Sequence, residues 1–359
     1  MKKVSKILLM AAISCLIITV FFFLIGYKQL IGIPIILLFA FLSIAIRYNN
    51  TYKSLSFTIL IFSAVALAMF YPIYFTKIGG FNLKSLIIPL LQIIMFGMGS
   101  SMSLKDFKSV ITMPKGVLVG LTCQFTIMPV LGFSIAHLFG FSNEIAAGIV
   151  LIGCSPSGLA SNVMVFLAKA NLALSITLTA ISTLLAPFIT PLLMQLLAGE
   201  FIPIDVFQMM LSILKIVILP IAAGLIFNKF FHSKIPWLDI ILPGISMGSI
   251  AFIIIIIVAA GRDNLLDIGL LLVIAAIIHN TAGYFLGYWG SRFLKLKEAD
   301  CRTIALEVGM QNGGLASGIA LELGKVSTIG LAPAIFGPWM NISGSALASW
   351  WRDRTPYKK

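Results

Sequence analysis

Glu307 and Gln311 stand four residues apart in an otherwise apolar run, a carboxylate and an amide that a helix places on one face. Further upstream Ser175 and Thr179 share the same spacing, and Ser161 and Asn162 lie one short segment before them. All six offer hard oxygen. A small alkali cation needs several such oxygens, drawn from carboxylate, amide, hydroxyl and backbone carbonyls freed where a helix unwinds. One carboxylate among neutral oxygens suits a monovalent ion, whereas calcium usually draws several carboxylates. Each residue also has a plainer reading. Ser175 and Thr179 can bond back to their own helix carbonyls, and Glu307 can be a charge near a helix end, five residues from Arg302.

Other chemistries have thin support. His137, His232 and His279 fall on separate elements, the sequence holds no HExxH motif, and its one GxSxG match, Gly244-Ile245-Ser246-Met247-Gly248, lies within an apolar run rather than at the strand-to-helix turn that motif needs, so an intramembrane enzyme is a remote alternative. His279, with Asn280 and Thr281, could form a polar spot inside the tenth span, but the expected reading is a satisfied interhelical histidine. Cys15, Cys123, Cys154 and Cys301 show neither CxxC nor His-paired spacing, which predicts neither a disulfide framework nor a zinc site.

The elements that must position these oxygens are interrupted helices. One apolar run is broken by Gly153-Cys154-Ser155-Pro156-Ser157-Gly158, and a second by Gly309-Met310-Gln311-Asn312-Gly313-Gly314. Such breaks free backbone groups that lipid cannot satisfy, so they must be buried in protein or line a wet cavity. Counting from Ser54, the first break falls in the fourth span; counting from near Val206, the second does too. A five-helix unit used twice enters the membrane with opposite orientations, because five is odd, and the site lies where the broken helices meet. The expected organisation is two extra N-terminal helices over 1–53, a first repeat over 54–200 and an inverted second repeat over 201–359.

Composition sets the same frame. Of 359 residues, 60% are hydrophobic and 10% charged, where a globular domain carries about a quarter as charges. The fold class expected is an all-α polytopic membrane protein of twelve spans: 7–27, 30–46, 55–74, 86–102, 116–139, 145–167, 172–198, 206–227, 240–260, 268–289, 303–323 and 328–350. The N-terminal run imitates a signal peptide, but lacks a small-x-small cleavage site and reads as a retained span. With the N-terminus inside, the basic residues of the connecting segments divide nineteen inside to five outside, which predicts both termini in the cytoplasm. Lys215 remains within a span near its outer end, where its side chain can reach the headgroups. The net charge of +13 thus reflects topology rather than nucleic-acid binding. Ten of the twelve acidic residues lie in loops or at chain ends; of the two inside spans, Glu322 is near the outer end and can reach water.

Ser157-Gly158-Leu159-Ala160-Ser161-Asn162-Val163-Met164, Ser182-Thr183-Leu184-Leu185-Ala186-Pro187 and Glu307-Val308-Gly309-Met310-Gln311-Asn312 resemble the bile acid:sodium symporter family. Phe96-Gly97-Met98-Gly99, Asp106-Phe107 and Trp350-Trp351-Arg352 are similar to it as well, so the likeness covers roughly 55–355. The resemblance implies a ten-helix core with two crossing unwound helices and two sodium sites. The first would use Ser161, Asn162, Ser175, Thr179 and Glu307. The second would use Gln124, Glu307 and Gln311 with the carbonyls of Val308 and Met310. Substrate would lie against Leu159, Ala160, Asn312, Gly313 and Asn341. The sequence departs where the family commonly has glycine-glycine-threonine and this chain has Ser157-Gly158-Leu159, so a hydroxyl near the substrate is absent.

The expected function is sodium-coupled symport of a small organic anion, such as a bile acid-like, pantoate-like or keto acid carboxylate, by alternating access in a bacterial cytoplasmic membrane. Sodium is the only cofactor expected, the lipid bilayer the only other partner, and a monomer is compatible with the sequence. The alternative of the same fold is a proton-coupled carrier or an exporter, including a metalloid exporter.

Overall fold

A computed structural model describes residues 2–48, 55–102, 109–231 and 236–354. His232, the Asp106-Phe107 pair and the loop lysines Lys53, Lys105, Lys108, Lys234, Lys358 and Lys359 lie outside the described residues. The chain runs α1 (Lys2–Leu24), α2 (Gly32–Arg47), α3 (Ser56–Phe70), α4 (Ile87–Ser101), a short α5 (Ser109–Thr112) and α6 (Pro114–Leu138). The first broken span is α7 (Asn143–Cys154) with α8 (Ala160–Leu167), followed by α9 (Leu172–Ala198). Next come α10 (Val206–Ile213) and α11 (Leu219–Phe231), then α12 (Pro236–Ala260) and α13 (Arg262–Phe293). The second broken span is α14 (Glu298–Gly309) with α15 (Gly313–Glu322), and α16 (Leu331–Arg352) closes the chain. The protein is an all-α polytopic membrane protein, and among the described residues its only strands are a two-residue pair at Lys77–Ile78 and Phe81–Asn82.

Helix occupies every expected span, and among the described residues seven helices are long and apolar enough to cross a membrane, with α2, α3 and α7 shorter apolar helices. Two boundaries differ from expectation. The outer loop expected before residue 268 is absent, because α12 and α13 are joined by Gly261 alone. A Cβ there would lie 2.4 Å from the carbonyl oxygen of Ser327, so only glycine lets the two chains approach. The span expected as one helix from 206 is interrupted by a π turn at Leu214–Ile218, and the Lys215 carbonyl accepts from Gln92 Nε2 at 3.4 Å.

Burial divides the helices by role. Every residue from Ile145 to Cys154 of α7 and from Cys301 to Gly309 of α14 is buried, so these two helices form the centre of the bundle. The stretch Ile145–Cys154, apolar all round, belongs in such a place. In contrast, α1 presents Met10, Ile17, Phe21 and Phe23 outward, where acyl chains are the natural solvent. It docks on α2 through Ser5 Oγ donating to the Ala45 carbonyl at 3.0 Å, and α2 docks on α3 through Ser63 Oγ donating to the Ile36 carbonyl at 2.9 Å. The glycines of Phe96-Gly97-Met98-Gly99 gain a physical reason in the contact of α4 with α11. A Cβ on Gly99 would lie 2.2 Å from the Ile221 carbonyl oxygen, and one on Gly224 2.3 Å from that of Phe96, as at small-residue membrane interfaces.

Candidate functional site: two crossing helix breaks around a buried carboxylate

The first break begins where Pro156, lacking an N–H, prevents α7 from continuing. Carbonyls released there are taken by side chains, as backbone acceptors in an apolar medium require. Ser155 Oγ donates to the Leu151 carbonyl and Thr190 Oγ1 to that of Cys154, each at 2.8 Å. At the second break Asn280 Nδ2 donates to the Gly309 carbonyl at 2.6 Å, and Ser343 Oγ steadies Asn280 by donating to its Oδ1 at 2.5 Å. The two extended segments then pair with each other. Gly158 N–H donates to the Met310 carbonyl and Asn312 N–H to the Pro156 carbonyl, both at 2.8 Å, giving an antiparallel bridge of Ser157 with Gln311. A Cβ on Gly158 would sit 2.9 Å from the Gln311 carbonyl oxygen, so the crossing needs glycine there.

Glu307 lies one turn before the second break and is only 2% exposed. Ser161 and Ser175 hydroxyls donate to its Oε1, each at 2.5 Å, and Ser157 and Thr179 hydroxyls to its Oε2 at 2.7 and 2.8 Å. Asn162 Oδ1 joins the group as the alternative acceptor for the same two hydroxyls, 2.7 Å from Ser175 and 3.2 Å from Thr179. The plain reading of Ser175 and Thr179 fails, because their hydroxyls face Glu307. So does pairing of Glu307 with Arg302, whose Nε instead donates to Glu298 at 2.8 Å. All five residues expected in the first cation site are brought together, and Ser157 joins them.

The second expected group is also contiguous. Gln124 Nε2 donates to Gln311 Oε1 at 2.6 Å and to the Ser155 carbonyl at 2.9 Å, while Gln311 Nε2 donates to the Val308 carbonyl at 2.5 Å. The Met310 carbonyl is already engaged with Gly158. With its nitrogen fixed by two oxygens, Gln124 turns Oε1 toward no hydrogen-bond donor although that atom is buried. A buried acceptor without a donor is a place for a cation. Both donor sets, entirely of hard oxygen with one carboxylate between them, fit sodium. Glu307 touches only the first set among the described hydrogen bonds.

Leu159, Ala160, Asn312, Gly313 and Asn341 line one cavity of about 140 Å³ beside the crossing, with apolar walls from Ile61, Met95 and Ile254. Asn312 caps α15, its Oδ1 accepting from Leu315 N–H at 3.0 Å, and Asn341 Nδ2 donates to the Gly337 carbonyl at 3.1 Å. No charged side chain lines this cavity. A wider cleft of about 830 Å³ lies next to it, lined by Ser101, Asn162, Asn228 and Ser246, and Leu159 forms a wall of both. Outside the crossing, His279 Nε2 lies 3.2 Å from the Met128 carbonyl and its Nδ1 has no partner, so the expected satisfied interhelical histidine is only half satisfied.

Sequence reasoning missed Ser157 and the support given by Ser155, Thr190 and Asn280. The serines were visible beside Pro156, but no spacing rule ties a residue in an extended break to a distant carboxylate.

Comparison with known proteins gives a consistent result. The model of the sodium bile acid symporter family matches residues 88–268. The chain is 41% identical over 315 residues to the uncharacterized sodium-dependent transporter YocS of Bacillus subtilis (strain 168), covering 88% of this chain and 96% of that one. It is 34% identical over 266 residues to the probable chloroplastic sodium/metabolite cotransporter BASS1 of Arabidopsis thaliana, covering 74% and 66% respectively. Against the BASS1 protein of Oryza sativa subsp. japonica it is 32% identical over 311 residues, covering 85% and 74%.

Proposed function

The chain belongs to the sodium bile acid symporter family, and from that premise we propose that it carries a small organic anion together with sodium by alternating access. It is a transporter of a sodium-dependent family rather than an enzyme. The observation that carries the finer reading is Glu307, a carboxylate buried under four hydroxyls with no basic side chain among the described residues bonded to it. A buried ion without a countercharge costs several kcal/mol, roughly, so a mobile cation is its natural partner. Ser161, Asn162, Ser175, Thr179 and Glu307 form one sodium site. Gln124, Gln311, Glu307 and the carbonyls of Val308 and Met310 form the second.

The anion occupies the cavity beside the crossing. There the N-termini of α8 and α15 and the amides of Asn312 and Asn341 supply partial positive charge without a fixed cation. Sodium and substrate therefore favour the same arrangement of the crossing segments, and each raises the other's affinity. The helices act as two inverted five-helix repeats, 54–200 and 201–359, after an N-terminal pair, and transport follows as one helix group rocks against the other. The protein sits as a monomer in a bacterial cytoplasmic membrane with both termini inside, in keeping with its basic loops.

The test is uptake into proteoliposomes of a carboxylate panel including pantoate, pyruvate and taurocholate. Uptake is expected with an inward sodium gradient, not with potassium, and is lost in Glu307→Ala although the variant remains in the membrane. Equal uptake in potassium driven by a proton gradient would establish the proton-coupled alternative, in which a proton neutralises the same carboxylate.

A further inference from the structure

Ser157 is the residue at the crossing that the family pattern, with glycine in its place, does not account for. It is 1% exposed, and its hydroxyl donates to Glu307 Oε2 at 2.7 Å with Ser182 Oγ 3.3 Å away. A hydroxyl has one proton and two lone pairs, so with its proton on Glu307 it keeps lone pairs for a cation. Ser175 and Thr179 also donate to Glu307, and Ser161 does so with the Gly158 carbonyl 2.8 Å away. Ser155 and Thr183 instead serve local backbone alone, donating to the Leu151 and Thr179 carbonyls. Ser157 lies in the extended break between α7 and α8, and among the described residues its hydroxyl contacts are the side chains of Glu307 and Ser182. Without it, Oε2 would keep one hydroxyl where Oε1 has two.

We propose that the Ser157 hydroxyl is a ligand of the cation held at Glu307, giving this chain one more oxygen in that site than the family pattern supplies. The proposal rests on the sodium-coupled reading above. It is tested on the purified full-length protein by thermal unfolding at rising sodium chloride, with choline chloride holding ionic strength constant. Ser157→Ala and Ser157→Gly should each raise the sodium concentration at half-maximal stabilisation roughly tenfold, equivalent to about 1.4 kcal/mol. Ser157→Thr, which retains the hydroxyl, should stay near wild type, and Glu307→Ala should show no sodium-induced rise. If Ser157→Ala and Ser157→Gly lower the melting temperature equally at every sodium concentration and leave the midpoint unchanged, the hydroxyl is structural and the proposal is wrong. If the wild type itself shows no stabilisation by sodium over choline, the sodium reading fails along with the proposal, a result readily told apart from the first.

Discussion

A carboxylate in the middle of a helix bundle is tolerable only while its charge is answered, and at Glu307 four hydroxyls share that task. Glu307→Gln keeps the shape but not the charge, so the folded protein should persist while sodium no longer stimulates uptake. Stimulation retained in that variant would contradict the role assigned to the residue. Gln124→Ala removes the donor to Gln311 Oε1 and to the Ser155 carbonyl, leaving buried acceptors exposed to a loss of about 1–3 kcal/mol. Its sodium activation curve should also lose cooperativity, which uptake at graded sodium would report. At this scale the sequence was most informative where helical spacing applies. Ser175 with Thr179 and Glu307 with Gln311 could be read from intervals of four residues alone. Ser157 could not, because an extended segment has no such interval and its partner lies 150 residues away.

The elements hold these residues by pairing at more places than the crossing itself. One turn before Ser175 and Glu307, Asn171 N–H donates to Thr303 Oγ1 at 2.9 Å, the Thr303 hydroxyl has the Ala299 carbonyl at 2.9 Å and the Asn171 carbonyl at 3.2 Å as acceptors, and Asn171 Nδ2 donates to Asp300 at 2.7 Å. This rung fixes the register of α9 against α14 beside the proposed cation site. Thr303→Val should therefore cost about 1 kcal/mol of stability and weaken apparent sodium affinity. A lowered melting temperature with unchanged sodium affinity would confine the rung to folding. At the crossing, Gly158→Val adds atoms where a Cβ alone would lie 2.9 Å from the Gln311 carbonyl oxygen, and should abolish transport and lower the melting temperature by several degrees. The breaks were legible from their glycines and proline, as was the likelihood that they meet. Their antiparallel bridge was not, since backbone pairing leaves no mark on side-chain identity. The single-residue joint at Gly261 was hidden for a related reason, because hydropathy cannot distinguish a tight corner from a short loop.

Across the whole molecule the two broken spans are joined again at their ends away from the crossing, where Glu144, just ahead of α7's apolar run, accepts from Lys325 and from Thr328 Oγ1, the latter at 2.6 Å. Hydrogen bonds from Lys325 and then Thr328 hold the Glu144 carboxyl below the usual carboxylate range. A group depressed in this way contributes stability above its unfolded pKa and loses it as pH falls through the folded value. Wild type should thus exceed Glu144→Gln by a small, constant margin from about pH 5 upward, shrinking below about pH 4; the margin is small because the pair is partly solvated. Thermal unfolding across that range checks it. The all-α polytopic character was legible from hydropathy because the bilayer demands continuous apolar length. The order of burial, with α7 and α14 at the centre and α1 at the rim, depends on tertiary neighbours and was not. The central claim, that the crossing breaks hold sodium around Glu307, is tested most directly by equilibrium binding of radioactive sodium to the purified protein. Saturable binding, displaced by unlabelled sodium but not potassium and absent in Glu307→Ala, is the result predicted; no saturable binding, or equal binding in that variant, would contradict it.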